Sequence, residues 1–150
     1  MNDNSENGLL SSLNGKLEEE PQSIAEAKKR GKKVVGYFGP YVPEELILAA
    51  DMHPVHLAFG GELEPALAGE AFLKPYSCAY ARSCLGYRTL STNPYYGAVD
   101  AVCVAYTCDS MRRVQEYWAK YLGVPSFALG VPQTHDRLRT KPQAVEYFRN

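Results

Sequence analysis

The sequence predicts an α/β domain: an open, mostly parallel sheet with helices on both faces, a three-layer arrangement. Three observations carry this. KVVGYF is an apolar run of strand length that leads into PEELILAADM, whose apolar residues recur at helical spacing. DAVCVAY is an unbroken apolar run of the kind buried on both faces, and it leads into the strongly amphipathic CDSMRRVQEYWAKYLG. Helical and strand patterns then alternate along the chain, which is how parallel sheets are written in sequence.

Taken in order, residues 1 to 22 are rich in Asn, Ser, Glu and Gly, with Leu9, Leu10, Leu13 and Leu17 as a thin apolar stripe. A polar, partly disordered leader is expected there, with a docking helix as the alternative. The α/β domain is expected over 23–150. SIAEAKKRG reads as a short helix capped by Ser23 and closed by Gly31, so the basic run around Lys28, Lys29, Arg30, Lys32 and Lys33 is a solvated helix end. KVVGYF is the first strand, closed by Gly39 and Pro40, and the helix after it has Pro43 near its start. PVHLAF is a second strand, and GGELEPALAGEAF a connection with little patterning. SCAYARSCLGYRTL reads as a helix with Ser77 as its cap, DAVCVAY as a strand, and CDSMRRVQEYWAKYLG as a helix with Met111, Val114, Tyr117, Trp118 and Tyr121 on its apolar face. VPSFALGVP supplies one more strand and turn, and a further helix begins near EYFRN, so the chain reads as the N-terminal part of a larger polypeptide.

Composition bounds the function. With 150 residues, 45% of them hydrophobic, the chain can build one core and not two. A formal net charge of −1 gives no basic excess for a nucleic-acid partner. No apolar run reaches the roughly 18 residues that span a bilayer, and MNDNSENG lacks the apolar core of a signal peptide, so no membrane association and a cytoplasmic location are expected.

In that compartment thiols stay reduced, so the four cysteines point to metal binding or chemistry before disulfides. Cys78 and Cys84 are six apart, Cys103 and Cys108 five apart, and no CxxC pair occurs, so the zinc and redox spacings are missing. Cys108 falls where a buried strand gives way to a helix, with Asp109 and Ser110 available as caps. Helix-start amides there favour a thiolate, the form that ligates iron or attacks as a nucleophile; an inert buried cysteine is the competing explanation. Cys78 sits at a similar loop-to-helix junction. Cys84 points away from it around the helix, and Cys103, between Val102 and Val104, behaves as a small core side chain.

In α/β sheets ligands bind beyond the carboxyl ends of the strands, which singles out GPYVPEE and TCDS. Tyr41 in the first of these and Arg82 are candidate substrate contacts, Arg82 toward a phosphate or carboxylate. Glu45 is the candidate proton-handling residue, although Glu44 and Glu45 are also explained by a helix's first turn. His53 and His56 fall on opposite faces of a strand and make poor joint ligands, and His135 has no visible partner. No GxGxxG or GxxxxGK[ST] follows any strand, which argues against a nucleotide-binding module.

KKVVGYFGPYVPEELILAADMHPVHL, SCAYARSCLG and DAVCVAYTCDSMRRVQEYW, in that order, resemble the start and the two cysteine segments of the catalytic subunits of 2-hydroxyacyl-CoA dehydratases and class I benzoyl-CoA reductases. The resemblance runs from about Gly31 to the end. It implies a Rossmann/flavodoxin-like domain and a [4Fe-4S] cluster held by three cysteines, of which Cys78 and Cys108 match the first two while the third lies in a second domain further along the chain. It also implies one-electron reduction and dehydration of an acyl-CoA thioester. The implied partners are the acyl-CoA substrate, a related subunit in a homo- or heterodimer, and an iron-sulfur ATPase activator. Benzoyl-CoA reduction, a double-cubane-type reductase, and an accessory α/β module without activity of its own are the alternatives.

Overall fold

In the computed structural model, residues 21–131, 140–147 and 149 are described. Helix α1 covers residues 21–29, strand β1 Val34–Phe38, helix α2 Glu44–Ala49 and strand β2 His53–His56. Helix α3 (Leu63–Ala68) runs into a 3-10 turn (Gly69–Ala71). Then follow α4 (Ala79–Leu90), α5 (Pro94–Ala98), β3 (Ala101–Tyr106), α6 (Asp109–Lys120), β4 (Ser126–Gly130) and α7 (Thr140–Tyr147).

The four strands form one sheet in the order β2-β1-β3-β4, and every pairing is parallel. That is the open doubly wound order of flavodoxin-like folds. All five residues of β1 are buried, as a central parallel strand requires. Alternation splits them between two cores. On one face Val34, Phe38, Val55, Val102 and Val104 pack with Ile24, Leu85, Tyr87, Tyr96, Val114 and Trp118 from the helices. On the other, Val35, Tyr37 and Ala105 pack with Val42 and with Ile47 of α2. Gly36 is required on the first face, because a Cβ there would sit 2.6 Å from Leu57 and 2.8 Å from Val99 side-chain carbons. The fold class expected from sequence is the one observed.

Several local expectations are corrected. The helix drawn from Ser23 is already present at residue 21, since a proline is tolerated near a helix start and Gln22 is a good helix former. The rest of the polar leader lies outside the described residues. The strand written as PVHLAF is instead His53–His56, an edge strand able to hold Pro54, and only the Leu57 N–H continues its ladder, to the Tyr37 carbonyl at 2.9 Å. The connection after Gly61 is helical, and a short helix at Pro94–Ala98 was not expected. Ser77 does not cap α4. Its N–H closes a turn onto Lys74 O at 2.8 Å, and Cys78 takes the N-cap position. Asp109 likewise is the first residue of α6, with Cys108 as N-cap. Tyr121 is 57% exposed, because α6 ends one residue earlier.

The basic segment around Lys28 is largely surface, and its charges find acidic neighbours: Arg30 pairs with Glu26 at 3.6 Å, Lys32 with Asp51, and Lys33 with Asp100 at 3.5 Å.

Candidate functional site

The chain order reverses at β1, which pairs with β2 on one side and β3 on the other, so the crevice of this fold lies beyond the carboxyl ends of β1 and β3. Gly39, at a φ of +87°, turns the chain out of β1 in a conformation open to glycine. It delivers exposed Tyr41 and then α2, whose first turn holds Glu44 and Glu45 at the positive end of the helix. The Tyr37 hydroxyl donates to the Glu44 carboxylate. The Tyr37 ring stacks on His56, with centroids 4.7 Å apart and planes 7° from parallel. Glu45 is exposed beside this pair.

Beyond β3 the chain reaches Cys108 in an extended conformation, φ −158° and ψ 171°. Its carbonyl accepts from the Arg112 N–H at 3.3 Å, the first bond of α6. Met111, Val114 and Trp118 anchor that helix in the core, so its N-terminal amides are held at the carboxyl edge of the sheet. The Cys108 thiol is exposed and makes no cap hydrogen bond of its own.

Cys78 reaches the same edge by another route. The Tyr80 hydroxyl donates to Leu57 O at 3.0 Å and that of Tyr96 to the same oxygen at 3.3 Å. Leu57 directly follows β2, so these bonds tie the start of α4 to the carboxyl end of that strand. Cys78 is exposed at the N-cap, again with no side-chain cap bond. Arg82 lies one turn further along. Its guanidinium donates to Ser77 O at 3.3 Å and Ala66 O at 3.5 Å and forms an ion pair with Glu70.

The other two thiols differ in environment. Cys84 is fully buried, and burial pushes its thiol up to about 12. Cys103, in β3, is half-buried at the rim of the second core, and burial raises it too. In both, burial disfavours the thiolate that ligation of iron needs. His53 and His56 stand at opposite ends of β2, and His135 lies outside the described residues.

The donor set can be tested against the cluster expected from sequence. Two exposed soft thiols at the starts of twelve-residue helices, on one edge of one sheet, suit iron-sulfur ligation. They are a partial set: among the described residues no group of three or more His, Cys, Asp or Glu side chains is placed to hold a metal ion. Among the described residues, too, no helix is long and apolar enough to cross a membrane.

Sequence reasoning missed the bond from Tyr80 to Leu57 and the bracing of Arg82 by Glu70. Tyr80, two residues after Cys78, carries no signal of its own, and Glu70 belongs to a segment whose helical character was not seen.

Residues 40–150 match the family described as 2-hydroxyglutaryl-CoA dehydratase, D-component. A benzoyl-CoA reductase subunit from Thauera aromatica is 32% identical over 87 residues, 58% of this chain and 22% of that protein. Putative dehydratase subunit YjiM of Escherichia coli (strain K12) is 27% identical over 99 residues, 66% of this chain and 26% of that protein. The matched part thus spans about a quarter of the length of these relatives. With both cysteine segments inside the matched region, the chain belongs to the 2-hydroxyglutaryl-CoA dehydratase D-component family.

Proposed function

We propose that this chain supplies Cys78 and Cys108 as two ligands of a [4Fe-4S] cluster in a 2-hydroxyacyl-CoA dehydratase-like enzyme. The observation that supports this is the placement of two exposed thiols at helix N-termini on the carboxyl edge of one parallel sheet, in a chain of this family. When bound, the cluster supplies one-electron reduction of an acyl-CoA thioester, and an iron not taken by a cysteine can polarise its carbonyl. The chain's own residues hold and orient. The first turns of α4 and α6 carry both thiols, exposed, at the helix starts. Tyr41 offers an exposed ring at the strand crevice to the acyl-CoA, and Glu45 a solvent-exposed carboxylate for moving a proton. The third thiol comes from a further domain of the polypeptide. The working unit is a dimer with a related subunit, fed with electrons by an iron-sulfur ATPase activator in the cytoplasm. The similarity to a benzoyl-CoA reductase subunit favours ring reduction as the second reading.

Anaerobic reconstitution followed by iron and sulfide counts and electron paramagnetic resonance of the reduced protein tests the assignment. Cys78→Ser and Cys108→Ser are each expected to abolish iron loading, and Cys103→Ser to leave it nearly intact. Equal losses in all three would overturn the ligand assignment, and no iron in the unaltered protein would make the chain an accessory α/β module.

A further inference from the structure

Both cysteines that cap helices are followed four residues later by an arginine, in CAYAR and CDSMR. The two arginines are used differently. Arg112 lies with its guanidinium 5.2 Å from the centre of the Tyr106 ring, over the end of β3. Arg82 turns back into the protein. Its side chain is only 14% exposed, and it meets a Glu70 carboxylate that is 29% exposed.

The surroundings make that position rigid. A Cβ at Gly69 would lie 2.6 Å from the Arg82 carbonyl carbon, and one at Gly86 would lie 2.6 Å from that of Pro65. The helical hairpin of α3 and the 3-10 turn therefore touches α4 backbone to backbone at two places, with no side chain between. Across that contact Arg82 bridges three points. Nη1 reaches Ala66 O in α3 and the Glu70 carboxylate in the 3-10 turn, while Nε reaches Ser77 O, the carbonyl of the peptide bond that leads into Cys78. The Cys78 side chain makes no cap bond, so the reach of its thiol depends on where the backbone places its Cβ.

We infer that Arg82 is a positioning residue for Cys78: its guanidinium locks the Ser77–Cys78 peptide to the α3 hairpin and so fixes where the Cβ that carries the thiol stands. This rests on the reading of Cys78 as a cluster ligand. The guanidinium is needed for its fork, since a lysine ammonium keeps the charge opposite Glu70 but cannot hold the carbonyl bonds in the same fixed plane. Arg82 therefore acts on the protein side of the turn, in place of the substrate contact expected from sequence.

Hydrogen exchange of the iron-free protein reads the brace directly. In Arg82→Lys and Arg82→Gln, the bonded amide within residues 74–80, that of Ser77, whose partner is Lys74 O, is expected to exchange about tenfold faster, the scale of one lost charge-assisted hydrogen bond in a local opening. Amides of β3 and the start of α6, including Cys108, are expected to keep their rates. In reconstituted protein, release of iron to a chelator should accelerate in both variants. Unchanged exchange at 74–80, or a uniform rise through β3 and α6, overturns the inference; the second result would make Arg82 a support of the whole domain. Unchanged exchange with acyl-CoA binding weakened would return Arg82 to substrate recognition. The two claims separate cleanly: faster exchange at 74–80 with no iron in the unaltered protein overturns the ligand assignment alone, whereas Cys78-dependent iron with unchanged exchange overturns the brace alone.

Discussion

Replacing Gly86 with alanine tests the close approach of α3 and α4 that sets the position of Cys78. In an open helix this change stabilises by about 1 kcal/mol, because glycine is the costlier residue to order. Here the new methyl would lie 2.6 Å from the Pro65 carbonyl carbon and 3.0 Å from its Cα. An ordinary contact needs about 3.4 Å, and the Pro65 carbonyl oxygen lies nearer still, so the two backbones must part by more than about 0.8 Å. The obstacle is main chain and cannot turn aside as a side chain would. A gap near 1 Å forfeits up to about half of the dispersion well for atoms along the seam, and overpacking of this kind costs about 1–3 kcal/mol. Taking the upper end and returning the helix-propensity gain leaves a net loss of about 2 kcal/mol, or about 4–8 °C in Tm for a domain of this size. Gly97 is the control. It sits in α5 with nothing within 4 Å of a built Cβ, so Gly97→Ala is expected to be neutral or to stabilise by up to about 1 kcal/mol. Urea unfolding followed by the fluorescence of Trp118, the single and fully buried tryptophan, gives both values. Equal or increased stability in Gly86→Ala would refute the backbone-to-backbone packing and weaken the case that the hairpin fixes the cysteine turn.

Two further outcomes are expected. For the thiols, a disulfide reagent should modify Cys78 and Cys108 rapidly in the folded iron-free protein. Cys84, buried and with its thiol pushed up to about 12, should stay unmodified even at pH 9 until urea unfolds the chain; early labelling of Cys84 would contradict its place in the core. For acid stability, burial alone would raise the Asp100 carboxyl, but the Val34 N–H at 2.8 Å and the nearby Lys28 and Lys33 outweigh it and hold it below its ordinary value. A carboxylate depressed on folding adds stability above its unfolded pKa of about 3.9 and loses it as the pH falls through the folded value. Asp100→Asn should therefore narrow the stability lost between pH 6 and pH 3 in urea melts, and an unchanged loss would sink the assignment.

The main architecture was legible because its two central strands are written as near-continuous apolar runs, VVGYF buried throughout and AVCVAY buried or half-buried throughout. Helix α6 was equally plain, with Met111, Val114 and Trp118 on one stripe. What escaped was α3, and the reason is physical. Its large residues Leu63 and Leu67 face outward while Pro65 and Ala66 are the buried ones, so the size pattern runs opposite to the burial pattern. A helix that packs through small residues and glycine contacts has little hydrophobic signature to read. Helix α5 offered a usable signal in Asn93, whose side chain accepts the Tyr95 N–H at 3.0 Å, followed by Pro94 at the first position. The two cysteine positions were legible from strand ends and helix starts. The contacts of Arg82 with Ala66 and Glu70 were not, since those residues lie in the hairpin that the pattern concealed.

The place of β1 at the middle of the sheet also orders events in time. As the chain leaves the ribosome, β1 and β2 can pair and the α3–α4 hairpin can close through near neighbours, which organises the turn at Cys78. Cys108 has no strand end to stand on until β3 emerges and slots in beside β1, a pairing that spans the whole intervening chain from Phe38 to Ala101. A nascent chain thus orders the turn at Cys78 early and the turn at Cys108 only after the long-range pairing is made.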